Sequence, residues 1–292
     1  MKKKNQINLN IFLKSLFEKR TKKYYSIYKN ESKIFKKDFT SLKIREFLEK
    51  NYKKSKKLSF LGISFYLPLV KFGKTNSLDG INSSELRSFY FFYIMRNKYK
   101  TVADVGANIG LHSIFLSKLN YKTVSFEHNL YHFKILKKNI KKNKVKVKAI
   151  RKGLSGSGGD KKFVNVNDHT MGSHIIGSKK KPYGNISYSK IKTIPFKQIM
   201  KKFDLIKIDA EGAEKEMILS TNQSDWNNTD AIVEIHSKNI AYSIWKRFNK
   251  KLNFYSEKNF KKIKNFNNFP KNYTDGMVII SKSKKLFDNI FY

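Results

Sequence analysis

The sequence predicts an α/β protein built on a doubly wound, mostly parallel sheet. Three observations carry that prediction. From residue 101 onward, short branched apolar runs alternate with segments of helical period, the pattern of strands joined by helical crossovers. The stretch "TVADVGANIGLHS" (101–113) reads as a strand that passes through a tight glycine turn straight into a helix. Acidic residues stand at the carboxyl ends of the predicted strands, the edge where such sheets bind ligands.

The elements follow in order. Residues 1–57 are lysine-rich with apolar positions at helical spacing, such as Ile11, Phe12, Leu16, Ile44 and Leu48, and predict a helical extension. Residues 58–72 alternate as one or two strands turning at Gly62, and 82–98 predict a helix capped by Ser84 with Leu86, Tyr90, Phe91, Ile94 and Met95 on its apolar face. Strands are then expected at 101–105, 122–127, 146–150, 203–209, 231–236 and 276–281, with helices at 109–118, 130–142, 213–220 and 238–249. A Gly/Ser loop at 153–159 opens a less regular region. The chain divides into an extension with a short β segment (1–98) and an α/β domain (99–285).

Composition narrows the function. Of 292 residues 40% are hydrophobic, enough for a real core, and the net charge is +40. Only six of the 62 basic residues are arginines, at 20, 45, 87, 96, 151 and 247. Nucleic-acid sites lean on arginine for bidentate contacts, so the charge points to no specific nucleic acid, only to weak salt-sensitive association with anionic surfaces. Absent cysteine excludes disulfides, thiolate catalysis and thiolate zinc sites. Lys14 interrupts the short apolar run near the start, which is therefore not read as a signal peptide, and no stretch approaches the ~20 apolar residues of a membrane span. The expectation is a cytoplasmic protein.

The glycine loop identifies a ligand type. A dinucleotide fingerprint is G-x-G-x-x-G, whereas Asp104, Gly106 and Gly110 give D-x-G-x-x-x-G, one glycine short. S-adenosylmethionine needs no phosphate cradle. Asp104 suits its ammonium, Gly106, Ala107 and Asn108 let backbone approach its methionine half, and amides after Gly110 suit its carboxylate. Glu127 ends the second strand about 20 residues beyond Gly106, where an acid grips ribose hydroxyls. Asp209, Glu211 and Glu214 arrive together in "KIDAEGAE" (207–214); Glu214 alone is explained as an acid at a helix start.

"DVGANIG", "FEHN", and "KIDAEGAE" followed by "VEIH", in this order and spacing, resemble the FkbM family of S-adenosylmethionine-dependent methyltransferases over roughly residues 100–240. The resemblance implies the seven-stranded, Rossmann-like class I methyltransferase fold and oxygen methylation of a small-molecule or glycan hydroxyl. The family's Pro after the ribose-binding Glu is replaced by His128, and its acid near the fourth strand is missing from "TIPF" (193–196). By position, Leu154 and Ser155 border the adenine. The loop with Asp168, His169, Ser173 and His174 lies where the family forms part of its acceptor pocket.

Hydroxyl methylation requires a base or a Lewis-acid metal near the acceptor. Asp209, Glu211 and His236 are the candidate catalytic groups, and two carboxylates with one histidine also suit a divalent ion such as Mg²⁺. Glu234 is expected on the same face as His236, paired with a lysine if it has no other role. His112, among apolar neighbours, is expected to pack or cap. Two rivals remain: an NAD-dependent oxidoreductase using Tyr188 and Lys192, and a basic nucleic-acid-binding protein with a non-catalytic Rossmann-like domain.

Overall fold

The computed structural model describes residues 57–288, apart from 74, 79–80, 82, 168–169 and 178–184. The extension expected over 1–57 lies, save Lys57, outside the described residues. β1 (Lys57–Phe60) and β2 (Ile63–Tyr66) form an antiparallel hairpin, and Gly62 at its turn has φ +79°, a conformation glycine adopts without strain. β3 (Lys71–Phe72) and β4 (Thr75–Asn76) form a second, minimal hairpin. Helix α1 follows over Ser83–Met95; Ser84 falls inside its first turn, with its hydroxyl directed to Glu257 at 3.5 Å.

The alternation then proceeds through β5 (Thr101–Val105), α2 (Leu111–Lys118), β6 (Lys122–Phe126), α3 (Leu130–Asn143) and β7 (Val147–Ile150). Asn129 caps α3, its side chain accepting from the amides of Tyr131 and His132, and Lys144 closes it in the left-handed region. After the side elements β8 (Gly153–Ser155), β9 (Gly159–Val166), β10 (His174–Ile175), β11 (Ile186–Pro195) and α4 (Phe196–Met200), the chain returns to β12 (Leu205–Ile208), α5 (Glu214–Leu219), β13 (Asp230–Glu234), α6 (Lys238–Phe248), β14 (Asn253–Ser256) and β15 (Met277–Ser281).

The main sheet runs β7-β6-β5-β12-β13-β15-β14, with β15 antiparallel to both neighbours and the other pairings parallel. This is the seven-stranded topology the motifs implied. The order reverses between β5 and β12, which makes their carboxyl ends the ligand crevice. β12, "LIKI", is buried at every position, as a central strand covered on both faces must be. One core lies between the sheet and α1–α2, the other between the sheet and α5–α6. Phe60 of the hairpin, Phe89 of α1 and Phe115 of α2 stack in sequence, with ring centroids 5.2 and 4.4 Å apart. The segment before residue 98 therefore shares its core with the sheet. Burying each ring contributes about 1.5–3 kcal/mol.

Two features differ from expectation. The seventh strand, β14, was not expected; Phe254 and Tyr255 are buried there, but four residues show too little pattern to read. The region after 153 is not irregular: β9 and β11 pair antiparallel from Val166↔Ile186 to Gly159↔Thr193 in a four-stranded side sheet. Their exposed positions are lysine-rich, which masks the apolar alternation.

At the crevice, the Asp209 amide donates to the Val105 carbonyl at 3.1 Å. The chains approach so closely that a Cβ on Gly106 (φ +77°) would lie 1.8 Å from the Asp209 carbonyl oxygen. Gly106→Ala is therefore expected to destabilise the fold by about 3 kcal/mol or more. Urea unfolding with wild-type stability in this variant would contradict the geometry.

Candidate active site

Each strand end delivers one part of the site. At β5, the Gly106 and Ala107 amides both donate to the Phe126 carbonyl at 3.1 Å, sewing the loop to β6. Asn108, at φ +50°, presents its amide to Glu127 Oε2 at 2.8 Å. Gly110 opens α2 in the left-handed region, where a Cβ would meet Leu136 Cδ1 at 2.5 Å. It shapes the turn and does not line the cavity.

Glu127 is almost wholly buried at the end of β6, its Oε1 accepting from the Asn129 amide at 2.7 Å. Burial pushes its carboxyl up to about 7, against the pull of the two backbone amides. His128 follows, its ring edge-on to Phe163 at 4.1 Å, and burial lowers its imidazole to about 4. Together with Gly106, Ala107, Asn108 and Leu154 these residues line a cavity of about 360 Å³, within the small-molecule range. Ser155 turns away: its hydroxyl meets Thr193 Oγ1 at 2.8 Å and accepts from the Gly158 amide.

Asp104 departs from its expected role. It is completely buried beneath the loop and absent from the cavity wall. Its Oδ2 accepts the Ser113 hydroxyl at 2.5 Å, and its Oδ1 faces Lys207 Nζ at 3.7 Å. The carboxylate faces Ser113 and Lys207 inside the protein rather than the cavity. Lys207 emerges instead. It is 2% exposed, reaches Asp209 Oδ2 at 3.3 Å, and forms part of the cavity floor. Burial would lower its ammonium, but Asp209 and Asp104 hold it well above the ordinary lysine value. A lysine inside an apolar strand was the sequence signal for it.

The acids of "KIDAEGAE" do converge. Asp209 and Glu211 line the same cavity, and His236 Nε2 stands 3.9 Å from Asp209 Oδ1 and 3.5 Å from Glu211 Oε2. Glu234 joins them, 3.4 Å from His236 Nε2, on the same face as expected but facing this cluster rather than a lysine. Glu214 does more than sit at a helix start. Wholly buried, its Oε1 accepts from the Ala210 and Gly212 amides and lies 3.1 Å from His236 Nδ1, off the line of an ideal hydrogen bond. Burial would raise Asp209, yet Lys207 and His236 pull it down to about 2. Burial would lower His236, yet Glu214, Glu211 and Glu234 hold it up to about 10.

On the opposite wall, His112 both packs against Phe89 and Phe92 and lines the cavity, 2.7 Å from Glu85 Oε2 of α1. Glu85 is remote in sequence and left no local signal. Ser173 lines the cavity while its hydroxyl accepts from the Val166 amide, and His174 is buried with Nδ1 3.0 Å from the Gly172 carbonyl. Asp168 and His169 lie outside the described residues. Tyr188, the residue an oxidoreductase would need, is 66% exposed on the side sheet and away from the cavity.

A profile of the FkbM methyltransferase domain matches residues 104–262, more than half the chain. This chain belongs to the FkbM methyltransferase family. The FkbM domain is one of S-adenosylmethionine-dependent methyltransferases, and it spans the loop, Glu127 and the acid cluster together. The hexuronic acid methyltransferase AglP of Haloferax volcanii is 31% identical over 140 residues, covering 46% of this chain and 55% of that relative. Among solved structures, a T. thermophilus 16S rRNA N2 G1207 methyltransferase aligns with TM-score 0.41 at 13% identity, over 78% of this chain and 50% of that one. A precorrin-6y C5,15-methyltransferase from Geobacter metallireducens gives 0.35 and 13%, over 67% and 85%. The strand order, not these distant likenesses, defines the fold.

Removing Lys207 tests the electrostatics of the FkbM site. Lys207→Met leaves the buried Asp104 without its cation and Asp209 with only the more distant His236, expected to cost about 3–5 kcal/mol at neutral pH. Asp209 is depressed in the folded state, so its contribution is present above the ordinary carboxylate pKa and lost as pH falls toward 2. Without Lys207 the acids take up protons more readily, and the deficit should shrink between pH 7.5 and 4.5. Equal deficits in urea melts at the two pH values would contradict this role.

Proposed function

We propose that this protein transfers the methyl group of S-adenosylmethionine to an oxygen of a sugar or other small glycosidic acceptor. The observation that carries the reading is that one cavity at the switch point joins the Glu127 loop to the acid edge of Asp209 and Glu211. The cofactor fits the residues present. Two backbone amides occupy only part of the accepting capacity of Glu127, leaving lone pairs for the two ribose hydroxyls. The Gly106–Asn108 backbone borders the methionine half, and Leu154 with the His128–Phe163 pair offers an apolar slot for the adenine. Acids along the far wall favour a cationic ligand.

When bound, the cofactor supplies an activated methyl group on a positively charged sulfur. The protein's share is then position and charge. Reacting atoms must meet in line at about 3 Å, and the cavity walls on β5, β6 and β12 are fixed by backbone hydrogen bonds rather than by loops alone. Asp209 and Glu211 face the side from which the acceptor enters and orient its hydroxyls as hydrogen-bond acceptors. The hexuronic acid methyltransferase relative favours a sugar as acceptor.

Calorimetry with S-adenosylhomocysteine tests the cofactor. Binding is expected, with Glu127→Ala weakening it by about 1–3 kcal/mol. Ribose hydroxyls donate to the ionised carboxylate, and burial places its pKa at about 7. The raised carboxyl must lose its proton to bind, so affinity should fall about tenfold between pH 8 and pH 6, a dependence Glu127→Gln removes. Tight NAD binding without response to S-adenosylhomocysteine would refute the assignment.

Transfer of radiolabelled methyl to a panel of neutral and uronic-acid glycosides tests the reaction. Asp209→Asn should lower turnover about 10²–10⁴-fold with cofactor affinity largely kept. Full turnover in that variant would remove Asp209 from the chemistry.

A further inference from the structure

The His236 cluster brings together the donor types of a metal site. Asp209, Glu234 and His236 each offer a ligand atom, and these atoms all lie within 4.8 Å of one another. From His236 Nε2 the facing oxygens stand at 3.4 Å (Glu234), 3.5 Å (Glu211) and 3.9 Å (Asp209). These separations exceed those of good hydrogen bonds. Donors sharing one divalent ion about 2.0–2.2 Å away stand roughly 3–3.5 Å apart, a spacing that Glu234 and His236 already have and that Asp209 Oδ1, at 3.9 Å, reaches by a small shift.

The surroundings of the donors point the same way, and independently of the acids themselves. The other ring nitrogen of His236, Nδ1, faces Glu214 Oε1 at 3.1 Å, and both side chains are at least nine-tenths buried. The contact is not aligned as a hydrogen bond, yet a carboxylate in this place behind a histidine is the usual support of a metal-bound imidazole. Glu214 is itself locked by the Ala210 and Gly212 amides. Asp209 is oriented likewise. Lys207 takes its Oδ2 at 3.3 Å, leaving Oδ1 as the oxygen turned toward His236. Asp209 and His236 therefore each have one atom facing a group behind it and one directed into the same gap, which Glu234 Oε2 also faces.

We propose that Asp209, Glu234 and His236 bind a divalent cation, with Glu214 as the positioning residue for His236. Oxygen donors with one imidazole and no thiolate suit Mn²⁺ better than Mg²⁺, which prefers oxygen and keeps its water. The cavity that Asp209 and Glu234 line would give the ion access to an acceptor hydroxyl, where it would act as a Lewis acid. That role rests on the methyl-transfer reading; the binding itself does not.

The test uses the metal alone. Purified chain, stripped with chelator, is titrated with Mn²⁺ and followed by electron paramagnetic resonance. One ion per chain is expected at micromolar affinity, carrying a ¹⁴N coupling from the imidazole. His236→Asn should abolish the ¹⁴N coupling and weaken binding at least 100-fold, and Glu234→Gln should weaken it comparably. Glu214→Gln, which leaves all three donors in place, should weaken it about 10–100-fold. Mg²⁺ should compete only in large excess. Titration of each variant with S-adenosylhomocysteine reports folding separately, since Glu127 and the Gly106 loop are untouched. Mn²⁺ binding only at millimolar levels, or without ¹⁴N coupling, or undiminished in His236→Asn and Glu234→Gln, would overturn the site. Loss of S-adenosylhomocysteine binding by the wild-type chain would overturn the cofactor reading instead and leave a Mn²⁺ result standing.

Discussion

Lys207 occupies a position where an unpaired ammonium would cost several kcal/mol. Its stem rises through β12, and its charge is shared between Asp104 of β5 and Asp209 just beyond β12, at 3.7 and 3.3 Å. The pairing spans the reversal in strand order, where no crossover connection joins the two neighbouring strands directly. Asp104 extends the network: it accepts from Ser113 on α2, whose hydroxyl accepts from Ser125 on β6 at 2.7 Å. One buried cation thus fixes the relative placement of β5, β6, β12 and α2. The Glu127 loop and the acid edge hold their spacing because both hang from these elements. A pair of apolar side chains would pack at the same place, but would not leave one carboxylate oxygen of Asp209 directed at His236.

Most of this architecture was legible because its cause is local. Each central strand is short and apolar, each is followed by a helical period, and the glycine loop between 104 and 110 announces its own turn. Glu127, Asp209 and Glu211 could be placed at the crevice because a strand's end fixes where its next residues go. What escaped has non-local causes. Asp104 looked like a ligand-binding acid, and only the three-dimensional position of Ser113 and Lys207 shows that its charge is spent inside. Glu85 reaches the site through the packing of α1, which no spacing in the sequence encodes. The side sheet was hidden by lysines on exposed strand positions, where composition and structure are decoupled. Gly106 was singled out for the close approach of a ligand, and the structure shows the Asp209 backbone lying against it.

The distribution of charge separates function from composition. The chain carries 62 basic residues against 22 acidic ones, yet Glu85, Asp209, Glu211, Glu214 and Glu234 gather around one cavity and its rear wall. Lysines dominate exposed positions, as on α3, where Lys137, Lys138, Lys141 and Lys142 surround the buried Leu136 and Asn139. Screening over about 8 Å at physiological salt makes that coat a weak, diffuse field. Inside the cavity screening is slight, so the local excess of carboxylates sets the potential there. The cavity therefore carries a local excess of carboxylates in a protein whose surface is rich in lysine.

Glu211 completes the design at a cost. It has φ +52°, followed by Gly212 at φ +106°, so two consecutive left-handed residues lead into α5. A non-glycine residue in that region stores about 1–3 kcal/mol of strain and persists only where its surroundings over-determine it. Here the surroundings are visible. Glu214 Oε1 binds the amides on either side of the strained residue, at Ala210 and Gly212, and the Asp209 amide is tied to Val105. A glycine at 211 would adopt the same turn without strain, so the turn alone does not account for the side chain. The reverse turn brings the Glu211 carboxylate back to within 3.5 Å of His236 on the neighbouring strand, where an extended chain would carry it past the edge of the sheet. The strain thus accompanies the placing of a fourth carboxylate beside His236, a position that the turn itself does not require.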